Sequence, residues 1–271
     1  EVVADIQALH ADQKNENALF QAASQFNLLE MVGPEVSPKA GVGIYENDFT
    51  QGPACAIACG AGTIYRNYFA PVNNQTGQTD GHQIDCLEDI GKELNNQELQ
   101  LWKMTNGYAL VSLEGLLSIN KQIGSFTTDQ REALKGKLKV GIQWNTEVTL
   151  NDNKQLVSQI YCSALPVAYS SIESYYWENF ARIVLEATYE ATLYTAMINL
   201  KNNKSNTVFL TLVGGGAFGN DLDWILESLF KALKKFKHIP LEVNIVSYGR
   251  SNDILKQEIT NFNNTLPKCE S

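Results

Sequence analysis

The strongest periodic signal in the chain lies at residues 175–200, YYWENFARIVLEATYEATLYTAMINL, where apolar side chains recur at helical spacing without Pro or Gly. That pattern predicts a long helix packed on a sheet. Behind it, TVFLTLV (207–213) is an apolar, β-branched run of buried-strand character, followed by a glycine cluster. DLDWILESLFKALKKF (221–236) then reads as an amphipathic helix and LEVNIVSYG (241–249) as a last strand. Strands alternating with helices in this half predict an α/β sheet covered on both faces.

The first half is less regular. Residues 3–11 place Val3, Ile6, Leu9 and His10 on one helical face, and NALFQAASQF (17–26) reads as a short buried strand ending around Gln25, Phe26 and Asn27. MVGPEVSPKAGVG (31–43) carries loop punctuation. Pro53 suits the first turn of a helix, with Asp48 or Thr50 as its cap and Ala54, Ala56, Ala58, Gly60, Ala61 and Gly62 behind it. Such small side chains allow close approach, and a helix start of this kind favours anions. Residues 71–137 interrupt the α/β pattern: a polar linker, a helix at 83–95, a hairpin turning at Asn106-Gly107, and helices near 112–123 and 127–137. We read this block as a mainly helical insertion within a single domain spanning 1–271. KVGIQWNTEVTL and QLVSQIYCSAL then form a hairpin across Asn151-Asp152-Asn153.

Composition narrows the function. With 44% hydrophobic residues the chain can build a sizeable core, and 21 Lys plus Arg against 30 Asp plus Glu give a net charge of −9. That balance argues against nucleic acid as a partner, so any bound phosphate must be gripped locally. No run approaches transmembrane length, which argues against a membrane role, and EVVADIQALHADQKNENALF lacks a basic n-region. The first residue is not Met, so an upstream segment with targeting information stays open. Five cysteines (Cys55, Cys59, Cys86, Cys162, Cys269) sit mostly among small or apolar residues, which favours reduced thiols and a cytoplasmic setting. Cys55 and Cys59 have no second pair and the histidines are scattered, so neither a metal nor a cofactor is expected. No Ser-His-Asp or Cys-His triad is discernible.

The glycine cluster carries the chemistry. Gly214, Gly216 and Gly219 match the G-x-G-x-x-G of a dinucleotide turn in strand-turn-helix context. A nicotinamide-dependent Rossmann oxidoreductase would also need an acidic residue at the tip of the next strand and further βα units. The next strand runs into IVSYGRSND and few residues remain. What survives is a set of backbone N–H groups suited to a diphosphate, with simple tight strand-to-helix packing as the plainer alternative.

The order LFQAASQFN, DFTQGPACAIACGAG, VSQIYCSALPVAYS with a long helix, and TVFLTLVGGGAFGN resembles the macrodomain family. The phrase Y-x-x-D-x-T-Q-G-P-A-C-A beginning at Tyr45 is similar to a divergent branch that includes a bacterial-effector ADP-ribosylhydrolase and resembles poly(ADP-ribose) glycohydrolases. The resemblance covers roughly 18–70 and 138–250; the N-A-A-N and Gly-Gly-Gly…Gln-Glu-Glu signatures of the family are absent. It implies a three-layer α/β/α fold with a mixed sheet, and ADP-ribose or an ADP-ribosylated protein as partner. An arginine of ubiquitin is one such carrier, and host cytosol the setting if the protein is a secreted effector. It implies ADP-ribose contacts from Asn27 beside the distal ribose, from Thr50, Gln51, Gly52, Ala54 and Cys55 in a first loop, and from Gly214, Gly215, Gly216, Ala217, Phe218, Gly219 and Asn220 in a second.

On that reading the chemistry is hydrolysis of an N-glycosidic bond through an oxocarbenium-like state, for which carboxylates near the ribose are the tools. Asp48 is the first choice as base or electrostatic stabiliser, its alternative role being a helix cap. Glu30 is second, its alternative being an exposed loop carboxylate, and Asp80 or Asp85 are candidates for a lid. Asp221 and Asp223 suit the start of a helix. Phe218, Tyr45 and Tyr248 are candidates for stacking on adenine or ribose, with core packing as the plainer role. Arg66 and Asn67 read as helix-surface residues. A non-catalytic ADP-ribose reader would share most of these residues.

Overall fold

The computed structural model describes residues 1–203 and 205–266. Its main sheet has six strands in the order β1 (Val2–Val3), β10 (Glu242–Ser247), β9 (Thr207–Leu210), β2 (Leu19–Ala23), β8 (Leu156–Cys162) and β7 (Gly141–Glu147). All neighbours run parallel except β7, which returns antiparallel to β8 across the turn at Asn151 and Asp152. The remaining strands form two hairpins, β3 (Pro71–Val72) with β4 (Gln75–Thr76) and β5 (Trp102–Thr105) with β6 (Tyr108–Val111). At the second turn Asn106 and Gly107 have φ of 46° and 83°, the left-handed pair that a two-residue hairpin demands.

Parallel strands need crossovers, and here helices cover both faces. Leu19, Ile160, Cys162, Val208 and Leu210 point to the side carrying α8 (Glu178–Asn203) and α9 (Leu222–Lys235). Their neighbours Phe20, Ala22, Tyr161 and Phe209 point to the other, against Ile6 of α1 (Ile6–Ala11) and Cys55 of α2 (Gln51–Ala58). Period-two alternation along β2, β8 and β9 thus feeds two cores, giving the three-layer α/β/α architecture expected from the sequence. A last helix, α10 (Asp253–Asn263), is capped by Asn252 and buries Leu255.

Residues 71–137 add α4 (Glu88–Glu93), α5 (Asn96–Leu99), α6 (Leu113–Ser125) and α7 (Thr128–Lys135), with α3 (Gly60–Ile64) preceding them. Leu87, Ile90, Trp102, Leu116, Ile119 and Ile123 join the same core cluster as α8 and α9. Lys135, nearly buried, reaches Glu190 at 2.6 Å and Glu186 at 3.2 Å on α8. The expected 83–95 helix is shorter, starting at Glu88 after Asp85 accepts from the Leu87 N–H in a local turn. β2 stops at Ala23 rather than near Asn27: Leu28 adopts φ 65° and the chain folds back, with Gln25 N–H donating to Leu29 O. Cys55, Cys59, Cys86 and Cys162 are buried free thiols; Cys269 lies outside the described residues. Among the described residues no helix is long and apolar enough to cross a membrane.

Candidate functional site

β2 and β9 are neighbours in the sheet, yet the helix that follows β2, α2, covers one face and the helix that follows β9, α9, covers the other. Where successive crossovers part in this way, the carboxyl ends of the strands leave a crevice open. A cleft of about 510 Å³ lies there, lined by Ser24 and Gln25 after β2, Ala164 after β8, Asp48 to Pro53, and Thr211 to Phe218 except Gly215.

The first loop is fastened to β2. Gln51 takes the Ala23 N–H on its Oε1 and donates from Nε2 to Gln21 O, both at 2.8 Å, so a side chain extends the ladder where the strand ends. Gly52 lies so close that an added Cβ would collide with the Ala23 carbonyl oxygen. Thr50 occupies the cap position of α2 without a side-chain capping bond; Asp48 accepts from the Thr50 N–H at 2.9 Å and hydroxyl at 2.6 Å. Asp48 therefore braces the residue before the helix rather than capping it. The N–H groups of Gln51 and Gly52 have no acceptor among the described residues and sit at the positive end of α2.

The second loop is shaped by glycine. Gly214 and Gly219 have φ of 81° and 68°, and a Cβ on Gly214 would lie 2.5 Å from Cβ of Ala164. Asn220 closes the loop, donating its N–H to Gly214 O and Nδ2 to Leu165 O at 2.8 Å. The N–H groups of Gly214, Gly216, Ala217 and Phe218 have no acceptor among the described residues. The two sequence-distant loops thus bring unpaired donors to one cleft, the arrangement that binds anions.

An aromatic wall stands at the same cleft. Phe218 lies 5.3 Å from Tyr108 and 5.7 Å from Tyr169, which are 5.0 Å from each other. Tyr108 donates its hydroxyl to Met31 O at 2.8 Å. Burial pushes that phenol well up, with Tyr169 and then the carboxylates of Glu35 and Asp48 adding to the effect. Phe49, 89% exposed, stands on the rim with Val32.

Of the residues singled out in the sequence, the structure gathers Asp48, Thr50, Gln51, Gly52, Gly214, Gly216, Ala217 and Phe218 around the cleft, with Glu30 in its wall. Glu30 is not an exposed loop carboxylate: its side chain is 1% exposed and paired with Arg66, both oxygens 3.0 Å from Nη2. Arg66 and Asn67 are likewise buried rather than on a helix surface, because the helical turn Tyr65–Phe69 directs these two inward while Tyr65, Tyr68 and Phe69 stay exposed. Burial pushes the Glu30 carboxyl up to about 7, against the pull of Arg66.

Asn27 does not line the cleft. It is fully buried in the turn after β2, bonded to Gln83 and to the Leu29 N–H. Asp80 is at the surface, 2.5 Å from Lys39, and Asp85 holds Leu87; neither lines the cleft. Ala54 and Cys55 point along α2 into the core between helix and sheet. Tyr45 is buried, its hydroxyl accepting from the Glu30 N–H. Gly215, Gly219, Asn220, Asp221 and Tyr248 line an adjoining cavity of about 1270 Å³ that shares Thr211, Leu212 and Gly216 with the cleft. Tyr108, Tyr169 and Phe49 went unrecognised in the sequence, although Phe49 and Tyr169 sit inside the motifs DFTQGPACA and CSALPVAYS.

No family model matches the chain, and no curated protein matches it. Among solved structures it is similar to a macrodomain mutant from Oceanobacillus iheyensis, with 12% identity, 97% of this chain and 90% of that chain covered, and a TM-score of 0.43. At that score the likeness assigns no role to any residue.

Proposed function

We propose that the cleft binds ADP-ribose and that the chain hydrolyses the glycosidic bond joining ADP-ribose to a modified protein side chain. The supporting observation is the pair of loops, 48–53 and 214–218, which line one cleft at the carboxyl ends of β2 and β9 and carry unpaired N–H groups. A diphosphate placed between them leaves two directions. Toward the adjoining cavity stands Tyr248, 77% exposed, as a face for the adenine. Toward Asp48 lies room for the distal ribose.

Positive charge develops on that ribose as the glycosidic bond breaks, and Asp48, half-buried beside the aromatic wall, is the carboxylate placed to stabilise it or to direct water. Asp48 also suits a cationic leaving group such as an arginine guanidinium. An arginine of ubiquitin is the specific carrier implied by the sequence resemblance. Buried thiols fit a reducing cytoplasm.

One observation favours a non-catalytic reader: Asp48 is already engaged by Thr50 and Glu30 by Arg66. Asp48→Ala separates the two. As an enzyme, the wild type releases ADP-ribose from an ADP-ribosylated protein, and the variant loses about a hundredfold or more in turnover while keeping its ADP-ribose affinity within about threefold. Tight binding with no release by the wild type makes the chain a reader.

A further inference from the structure

Beneath the first loop runs a buried polar chain that the reaction above does not use. Arg66 donates from Nη2 to both oxygens of Glu30 and from Nε to Leu28 O at 2.8 Å. Its guanidinium lies 3.5 Å over the ring of Tyr161. Tyr161 donates its hydroxyl to Gln159, and Gln159 donates from Nε2 to Cys55 O in α2 at 2.8 Å. At the other end, Cγ of Glu30 lies 3.2 Å from where a Cβ on Gly52 would stand. The chain therefore touches α2 at its first turn and again one turn on.

Resting on the ADP-ribose reading, we propose that Glu30 and Arg66 are positioning residues: their buried ion pair sets the height of α2 against β2 and so aims the Gln51 and Gly52 N–H groups at the ligand's diphosphate. Two features favour positioning over chemistry. The Glu30 side chain is 1% exposed with both oxygens 3.0 Å from Arg66 Nη2, so the carboxylate is turned toward Arg66 and away from solvent. The Arg66 side chain is 4% exposed, and its Nη1 has no acceptor among the described residues. A buried cation so dependent on one carboxylate repacks its surroundings when that partner is removed.

The test uses Glu30→Gln and, as a milder variant, Tyr45→Phe, which removes the hydroxyl that accepts from the Glu30 N–H. Amide hydrogen exchange is followed at pH 8 without ligand. Positioning predicts exchange at 50–58 faster by about tenfold or more in Glu30→Gln, less in Tyr45→Phe, with 207–235 unchanged. It also predicts ADP-ribose affinity weaker by about tenfold and turnover of bound substrate within about threefold. Unchanged exchange at 50–58 overturns the proposal, as does lost turnover at unchanged affinity, which would assign Glu30 to the chemistry. A wild type that takes up no ADP-ribose sinks the functional reading, and the exchange result still decides whether the ion pair sets the loop.

Discussion

Gly52 and Ala23 meet backbone to backbone: the first turn of α2 rests on the last carbonyl of β2 with no room for a side chain between them. Close approach of this kind is what glycine supplies at the start of a phosphate-facing helix. Gly52→Ala must therefore lift the helix or break the contact. The expected loss is about 1–3 kcal/mol in stability, from overpacking, with ADP-ribose affinity down by about a hundredfold. Urea unfolding and calorimetry on the same preparation check both; affinity within threefold of wild type would detach Gly52 from the site.

Gln51 does the complementary work, since its amide bonds both Ala23 N–H and Gln21 O. Gln51→Ala leaves those two backbone groups unpaired at the cleft floor. A destabilisation of about 1–3 kcal/mol is expected, while Gln51→Glu, which can still accept from Ala23, loses the donor alone. Denaturation of the two variants side by side measures the difference.

Much of this was legible in the sequence, and the gaps have physical causes. The α8 periodicity, the β9 run and the Asn106-Gly107 turn depend on local spacing, and each element lies within the expected stretch, with β9 stopping at Leu210 and α8 starting at Glu178. The two loops were readable because glycine and small residues mark close approach. Asn27 was misplaced because the strand ends four residues earlier, at a reversal through left-handed Leu28 that no turn residue announces. Glu30 and Arg66 were misread because an ion pair spanning 36 residues is a tertiary event, invisible to periodicity. Tyr108 reaches the cleft only because the 102–111 hairpin folds back onto Met31.

That same packing ties residues 71–137 into the body of the fold. Deleting the block would remove Leu116, Ile119 and Lys135 from the shared core, so its removal tests folding rather than recognition. Phe49 is the better probe of protein contact, being 89% exposed on the rim. Phe49→Ala should leave free ADP-ribose affinity within about threefold and stability within about 0.5 kcal/mol, yet slow release from a modified protein by about tenfold. Equal effects on both ligands would place Phe49 in the ADP-ribose site itself.

Two buried groups give the protein opposing responses to pH. Burial depresses His10 from its ordinary 6.5 to about 4, so the stability it contributes is present above 6.5 and is lost as pH falls toward 4. Burial raises Glu30 from 4.5 to about 7, so its contribution is present below 4.5 and is lost as pH rises through 7. Between about pH 4.5 and 6.5 the two slopes oppose each other. Glu30→Gln should expose the His10 slope, losing about 2 kcal/mol from pH 7 to pH 5, and His10→Gln should expose the reverse. Urea midpoints at the two pH values report the signs; parallel shifts in both variants would contradict the assignment.

On the proposed function the two loops form one clamp for ADP-ribose. Calorimetric titration of the wild-type chain with ADP-ribose, and separately with NADH, tests it most directly. A clamp of this kind binds ADP-ribose with a dissociation constant of about micromolar order and NADH much more weakly or not at all. No heat with ADP-ribose, or tighter binding of NADH, would contradict it.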